Sequence, residues 1–419
     1  MLNRTLPPPF QRSNSFTLIQ PVKTVLPNGL AITAIPGGDQ EVVKIEFIFK
    51  AGKWQEPHPG VSYFVSHLLP KGTKSKNSFQ ISSEFDQYGV HVEVSPGNDF
   101  SSFTLYGLTK NIARFFDLSF ELLTEPQFPE DEIQQAKDIY IQGLRINLEK
   151  TSYLASRLLR QTLFGEVHPY GRDAEVTDIE KLSRNSLLSF HQDYFSDLEI
   201  IISGKLSDTL IQGLAKKFEQ VPFKKGKSVE IGNIRYDSPS AYLPKENSVQ
   251  SSIRLGKKIV SRTHDDYPAI LFLNHVLGGY FGSRLMKNIR EEKGLTYGIY
   301  SSITALKHDT YIAIGADVNK ENRDLTVQEI KKELKNLCTQ SIGIDELETS
   351  RNHFIGSLQT ELTTPFAHAD KIKSMMMYDL PSNYYQELVL KIDSLQSSSL
   401  VETAQKYFNE DGFVVVGAG

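Results

Sequence analysis

The chain has 419 residues, of which 39% are hydrophobic and 23% charged, and this composition is typical of a soluble globular protein with two or three domains. Its formal net charge of −4 argues against nonspecific electrostatic binding of nucleic acid. No apolar run approaches the roughly 18 residues of a membrane-spanning helix, and the single cysteine, Cys338, excludes an internal disulfide or a thiolate metal cluster.

The N-terminal residues 1–16 contain three consecutive prolines and two arginines. They lack the continuous apolar segment and the small-residue cleavage site that mark a secretory signal. We therefore expect a cytoplasmic protein.

Alternating apolar residues predict strands over residues 23–35 and 41–50, and again over 251–255. Each group of strands is followed by long segments with helical periodicity. Strands grouped with helices, without a regular βαβ alternation, favour an α+β fold.

An internal repeat divides the chain. Residues 182–204 match residues 395–417 at an offset of 213, and residues 131–137 match residues 345–351 at an offset of 214. In the first pair, seven positions are identical without any gap: Leu182, Ser186, Leu187, Gln192, Tyr194, Phe195 and Gly204. Two matches at nearly one offset predict a duplication.

The duplication gives a first half over residues 1–222 and a second half over residues 246–419. Between them, residues 223–245 include the polar and turn-rich runs 224–228 and 237–240, which predict a linker.

Residues 60–73 read G-V-S-Y-F-V-S-H-L-L-P-K-G-T, with apolar residues at helical spacing and a proline and glycine that end the helix. This segment resembles the zinc helix of the pitrilysin/insulinase metallopeptidase family, which reads G-x-A-H-x-x-E-H-x-x-F-K-G-T. The runs L-P-N-G-L-A-I at 26–32, A-G at 51–52 and H-P-Y-G at 168–171 extend the resemblance. It implies two homologous α/β-sandwich halves that together form one half of a clam-shell.

The resemblance also shows which zinc-site residues are missing. Tyr63 stands at the first histidine ligand and Ser66 at the general-base glutamate, whereas His67 matches the second ligand. The third ligand, a glutamate, would fall near residues 142–144, where no carboxylate stands. A catalytic zinc site needs three protein ligands and a base, so we expect this chain to bind no metal and to be inactive alone. His67 is then a packed helix residue.

No other constellation predicts an active site. The remaining histidines lack metal-ligand spacing, and there is no G-x-S-x-G nucleophile motif. The glycine-rich run 278–282 lacks both the P-loop lysine and the Rossmann spacing, and it predicts a flexible or tightly packed turn.

Residues 282–298 predict a helix capped by Ser283, a turn at Gly294 and a strand. This segment resembles the signature of the family's second half, which ends in an arginine and a tyrosine seven residues apart, here Arg290 and Tyr297. In the family these side chains bind the substrate backbone and stabilise the transition state. The alternative is that Arg290 pairs with a neighbouring glutamate and Tyr297 lies in the core of a strand.

The combination resembles the non-zinc subunit of a heterodimeric metallopeptidase, in which a homologous H-x-x-E-H partner carries the zinc. The chain would then clamp a peptide substrate with Arg290 and Tyr297. Two alternatives remain: an inactive scaffold, and a homodimeric peptide-binding chamber.

Overall fold

The computed structural model describes residues 16–219, 223–227, 229–231 and 240–419. The N-terminal residues 1–15 and most of the predicted linker run 237–240 lie outside these ranges. Within them, the first half forms a six-stranded sheet with the order β1-β2-β6-β3-β5-β4. Its strands are β1 (Val22–Val25), β2 (Ala31–Pro36), β3 (Val42–Phe49), β4 (His91–Pro96), β5 (Ser101–Leu108) and β6 (Leu198–Gly204).

The second half forms a five-stranded sheet with the order β7-β11-β8-β10-β9 among the described residues. Its strands are β7 (Ala241–Leu243), β8 (Gln250–Ile259), β9 (Thr296–Ala305), β10 (Thr310–Asn319) and β11 (Val414–Ala418).

Helices cover both sheets. Those of the first half are α1 (Val61–Leu68), α2 (Ser78–Gln87), α3 (Ile112–Thr124), α4 (Glu130–Leu148), α5 (Thr151–Phe164), α6 (Val176–Lys181), α7 (Arg184–Tyr194) and α8 (Asp208–Phe218). Those of the second half are α9 (Tyr267–Asn274), α10 (Arg323–Thr339), α11 (Ile344–Thr360), α12 (Pro365–Met377), α13 (Tyr384–Ser394) and α14 (Ser397–Tyr407). None of the helices in the described ranges is long and apolar enough to cross a membrane.

The two sheets share one topology. Strands β2 to β6 and strands β7 to β11 occur in the same spatial order; β2 pairs with β6 in parallel, as β7 does with β11, and the other neighbours are antiparallel. Helix α14 begins 213 residues after α7 (residue 397 against residue 184), which is the offset of the sequence repeat. The predicted α+β fold with two related halves is thus confirmed.

Each half contributes a helix to the other half's sheet. Helix α5 packs on β8 and β11 so closely that a Cβ on Gly256 would lie 2.6 Å from Leu159. Helix α12 covers the first sheet, where Ala369 and Ile372 pack with Ile48 of β3. The halves are therefore joined by an exchange of helices as well as by the linker region.

Two charged side chains of β3 are buried under α12. Lys44 pairs with Glu46 at 3.3 Å and with Asp370 of α12 at 2.7 Å, and Lys373 of α12 binds Glu46 at 2.7 Å. Lys44 and Glu46 are almost fully buried, so the exchanged helix neutralises charges that would otherwise destabilise the sheet.

The region predicted as a linker, 223–245, contains a strand. Residues 241–243 form β7, which pairs with the C-terminal strand β11. The second sheet thus begins before the predicted start of the second half at residue 246.

Candidate functional site

Helix α1 carries the degenerate zinc motif. It begins after Gly60, whose φ of 90° is in the left-handed region that favours glycine, and a Cβ there would lie 2.8 Å from Ile179. The Glu56 carboxylate accepts hydrogen bonds from the backbone N–H groups of Gly60 and Ser62, at 3.1 and 2.9 Å. The Glu56 carboxyl group thus caps the positive end of the helix.

The first and second ligand positions are occupied by two stacked rings. The Tyr63 and His67 ring centroids are 3.9 Å apart. The His67 Nδ1 donates to the Tyr63 carbonyl oxygen at 2.9 Å, because that oxygen can only accept. Burial lowers the pKa of His67, although this hydrogen bond opposes the shift. His67 is thus a neutral, packed histidine, and only its Nε2 could bind a metal.

The third ligand position holds no carboxylate. On α4, Gln142 is exposed and Leu144 is buried, while the ring of Tyr140 packs edge-on against Tyr63 with centroids 4.9 Å apart. Across the described ranges there is no group of three or more histidine, cysteine, aspartate or glutamate side chains that could hold a metal ion. The residues of α1 and α4 therefore do not fit the catalytic zinc of the family that the motif resembles.

Ser66 occupies the position of the general base. It is buried, and its Oγ has no hydrogen-bond partner among the described residues. A serine hydroxyl stays neutral near neutral pH and is a very weak base. It therefore cannot take a proton from water as a carboxylate does. No water-activating group thus stands at this position.

A cavity of about 240 Å³ lies at the N-terminal end of α1. It was missed in the sequence analysis, and its lining includes Lys53, Glu56, Tyr63, Asn98, Tyr140 and Asp173. The one local signal in the sequence was Glu56, an acidic residue shortly before α1, because an acidic residue there is typical of a charged N-terminal cap.

Two carboxylates of this cavity are already engaged. Burial raises the pKa of Glu56 to about 7, against the opposing effect of its hydrogen bonds to Gly60 and Ser62 and of Arg172. Burial would also raise the pKa of Asp173, but Arg160 at 2.7 Å and Lys53 at 3.2 Å together hold it below its ordinary value.

The H-P-Y-G run packs at the junction of the halves. The Tyr170 hydroxyl donates to Asp99, whose other oxygen accepts the backbone N–H of Lys307 at 2.9 Å. Trp54 stacks on His308 with ring centroids 3.9 Å apart. These residues join the first half to the β9–β10 turn of the second.

Arg290 lies on a π-helical segment, Met286–Glu292, a geometry that is frequent at functional sites. Its guanidinium is 5.0 Å from the ring centroid of Phe281, which the glycine-rich run presents to solvent. Within the described part of the chain Arg290 forms no ion pair, so the alternative pairing with Glu291 or Glu292 is not found.

Tyr297 follows on β9, the edge strand of the second sheet. Its side chain is 95% exposed, so the alternative that it lies in the core of a strand is wrong. Ser283 does not cap the helix through its side chain as predicted, because its Oγ is buried without a hydrogen-bond partner among the described residues.

Buried polar contacts hold the Arg290 segment in place. Asn288 donates to Glu333 of α10 at 2.7 Å, and Arg284 forms two hydrogen bonds with Glu346 of α11. The glycine-rich run is tightly packed, since a Cβ on Gly278 would lie 2.6 Å from a backbone nitrogen of β9. Arg290 therefore projects from a rigid support.

Within one chain, the structure does not bring the degenerate zinc motif of α1 together with Arg290 and Tyr297. Among the described residues, no hydrogen bond, ion pair or ring contact joins Arg290 or Tyr297 to Tyr63 or His67. Neither Arg290 nor Tyr297 lines the cavity at α1.

Comparisons with known proteins identify the family of the chain. A family model described as "Insulinase (Peptidase family M16)" matches residues 36–167, and one described as "Peptidase M16 inactive domain" matches residues 181–354. The uncharacterized zinc protease YmxG of Bacillus subtilis is 23% identical, over 84% of this chain and 86% of its own length. An uncharacterized zinc protease of Rickettsia bellii is 22% identical, over 92% of this chain and 94% of its own length.

Solved structures share the fold. The peptidase M16 inactive domain from Pseudomonas fluorescens superposes with a TM-score of 0.88 at 23% identity, covering 96% of this chain and 98% of that one. A protease from Helicobacter pylori gives a TM-score of 0.86 at 19% identity, covering 96% and 100%. With both halves matched by its models and the whole fold shared, the chain belongs to the insulinase family of peptidases, family M16.

Proposed function

We propose that this chain is the non-zinc subunit of a heterodimeric metallopeptidase. The observation that carries the proposal is that Tyr297 is presented to solvent and the half-buried Arg290 has no ion pair among the described residues, while Tyr63 and Ser66 occupy positions where zinc chemistry needs a histidine and a glutamate. The missing ligands and base would come from a homologous partner with an H-x-x-E-H motif.

In the assembled enzyme, zinc held by the partner would polarise the scissile carbonyl and activate water. This chain would supply hydrogen-bond donors from the opposite wall. The Arg290 guanidinium is a rigid, permanently charged fork, and the Tyr297 hydroxyl is a neutral donor. Because Phe281 supports the guanidinium, little of its conformational freedom is lost when peptide binds.

The two sheet edges are suited to peptide binding. Strands β4 and β9 lie at the ends of their sheets, so each has one row of backbone groups that is available to an added strand. Strand β9 also carries Tyr297. Unfolded peptides are therefore the substrate class that we propose. We propose a cytoplasmic location on the strength of the composition, which includes a single cysteine.

The rival proposal is a catalytically inactive scaffold or a homodimeric peptide-binding protein of the same family. The loss of the zinc ligands is compatible with either. A scaffold, however, gives no reason for a half-buried arginine and an exposed tyrosine to remain at the family spacing.

The test is cleavage of an unfolded peptide by the chain assembled with a zinc-bearing relative. The change Arg290→Ala should lower the rate by about 10²- to 10³-fold, the usual effect of removing one donor to a developing oxyanion. Lys287→Ala, an exposed cation on the same segment, is the matched control and should leave the rate unchanged. Normal cleavage by assembled Arg290→Ala would overturn the proposal, whereas absence of cleavage in every assembly would favour the scaffold.

A further inference from the structure

Helix α8 packs on α3 in the first half. It ends at Phe218, whose ring lies against Phe116 of α3 and Phe47 of β3, with centroid distances of 4.4 and 5.9 Å. The preceding residue, Lys217, forms an ion pair with Asp117 of α3. Through these contacts α8 covers one face of α3 and the sheet beside it.

The counterpart of α3 in the second half is α10. Strand β5 ends at residue 108 and α3 begins at residue 112, whereas β10 ends at residue 319 and α10 begins at residue 323. The two helices therefore correspond at an offset of 211. In the described part of the second half, however, β11 is the last element in chain order, and no helix there corresponds to α8.

A cavity of about 440 Å³ lies at the face of α10 that corresponds to the α8 contact. At the offset of 211, Val327 stands where Phe116 contacts α8, and Gln328 stands where Asp117 binds α8. Both residues of α10 line the cavity. The sheet adds apolar side chains to the lining: Ala241, Ile253, Val415 and Val416. A groove of this kind, apolar and bordered by a helix, is a surface on which an amphipathic helix can bind.

The charges of this groove differ from those under α8. The lining holds two cations, Arg323 and Lys331, against one carboxylate, Asp324. Arg323 is paired with Asp324 at 2.9 Å, whereas Lys331 has no ion pair or hydrogen bond among the described residues. Lys331 lies three residues after Gln328, on the same face of α10. A side chain placed as Lys217 is placed in α8 would thus meet a free ammonium group instead of a carboxylate.

We propose that this groove binds an amphipathic helix of a partner protein. The helix would have apolar residues at the positions of the buried Leu214 and Phe218 of α8 and a carboxylate at the position of Lys217, which would pair with Lys331. The site is separate from the proposed peptidase role, because β7 and β11 form the end of the second sheet that is opposite to β9, the strand of Tyr297.

The experiment is fluorescence anisotropy of labelled peptides titrated with the full chain. The probe is the α8 segment, residues 207–219, with the changes Lys216→Glu and Lys217→Glu. A covalent staple on its solvent-facing side holds it helical, because so short a helix is marginal in water. We expect this acidic probe to bind, and its Phe218→Ala form to bind about tenfold more weakly, because a buried aromatic anchor carries much of the affinity of such contacts.

Charge reversal locates the contact. Lys331→Glu should weaken binding of the acidic probe about tenfold. The same variant should bind the stapled native segment, which keeps Lys216 and Lys217, more tightly than the wild type does. The matched control is Lys335→Glu, which reverses the same charge at an exposed position of α10 outside the groove. It should leave the affinities for both peptides unchanged.

Absence of binding to the wild type, or equal losses in Lys331→Glu and Lys335→Glu, would overturn the inference. Sedimentation of the chain alone tests whether a second copy is the occupant. A dimer that Lys331→Glu dissociates would assign the groove to self-association and would overturn the separate partner. The proposed function is judged independently, by the effect of Arg290→Ala on cleavage.

Discussion

The ring of Tyr63 stacks on His67 with centroids 3.9 Å apart, where a zinc peptidase of this family would hold two metal ligands. Tyr140 closes the cluster from α4. The positions of the family's metal ligands thus hold an aromatic cluster that stabilises α1 by packing, since stacked and edge-to-face rings each contribute about 0.5–1.5 kcal/mol beyond burial.

Restoring the motif on α1 should not restore an enzyme. In the double variant Tyr63→His, Ser66→Glu, we expect weak zinc binding and no peptide cleavage by the purified chain, because α4 has no third ligand near residues 142–144. Zinc titration and a peptide assay with and without chelator are the measurements. Tyr63→Phe, which keeps the ring, is the control, and chelator-sensitive cleavage by the double variant alone would contradict this account.

Removing one oxygen atom from Tyr297 should impair the assembled enzyme without affecting stability. The side chain is 95% exposed, so Tyr297→Phe should leave the free energy of unfolding unchanged. It should lower kcat with a zinc-bearing partner by about 10²-fold. Tyr300→Phe on the same strand is the matched control and should cleave at the wild-type rate. The account fails here if Tyr297→Phe also cleaves at that rate.

Glu56 should make stability depend on pH. Burial raises its pKa in the folded chain to about 7, above the ordinary value of 4.5, so the folded state holds this proton more tightly than the unfolded state does. The contribution of this proton to the free energy of unfolding is therefore fully present below the pKa of the unfolded chain, and it is lost as the pH rises through about 7. It amounts to roughly 3 kcal/mol.

The change Glu56→Gln removes that titration. Urea unfolding should show the variant gaining stability relative to the wild type as the pH rises from about 5 to about 8. Glu180→Gln, at an exposed position, should instead follow the wild-type profile. A constant difference between Glu56→Gln and the wild type across this range would show that Glu56 does not titrate there.

The buried charges under α12 predict a large difference between single and double variants. Lys44→Met leaves Glu46 buried with fewer partners and should cost about 3–5 kcal/mol of unfolding free energy. Lys44→Met, Glu46→Met together should cost much less, because no buried charge is left without its partner on the strand. The control is Lys205→Met at an exposed pair, where solvent screening makes the ion pair weak and the loss of stability small; a Lys44→Met variant as stable as this control would contradict the prediction.

The sequence was sufficient to predict features that depend on local pattern. The repeat at offsets of 213 and 214 predicted the paired halves, and the spacing of Arg290 and Tyr297 singled out a half-buried arginine and an exposed tyrosine. It could not predict the exchange of α5 and α12, because an amphipathic helix has an apolar face that does not specify which of two similar sheets will bury it.

The cavity at α1 was missed for a different reason. Lys53, Tyr140 and Asp173 are separated by many residues, and each is unremarkable in its local context. Their chemistry arises from the burial and charge that the fold gives them together. The π-helical segment around Arg290 was equally beyond prediction, because the residues of α10 and α11 that Asn288 and Arg284 contact are distant in sequence.

The central claim is that this chain completes the active site of a zinc-bearing partner, and the most direct measurement is affinity purification of the tagged chain from its native organism. The co-purifying chains would be identified and the material assayed for peptide cleavage with and without chelator. The account predicts a stoichiometric homologous chain with an H-x-x-E-H motif and chelator-sensitive cleavage. A chain that purifies alone or only with itself, without cleavage activity, would contradict it.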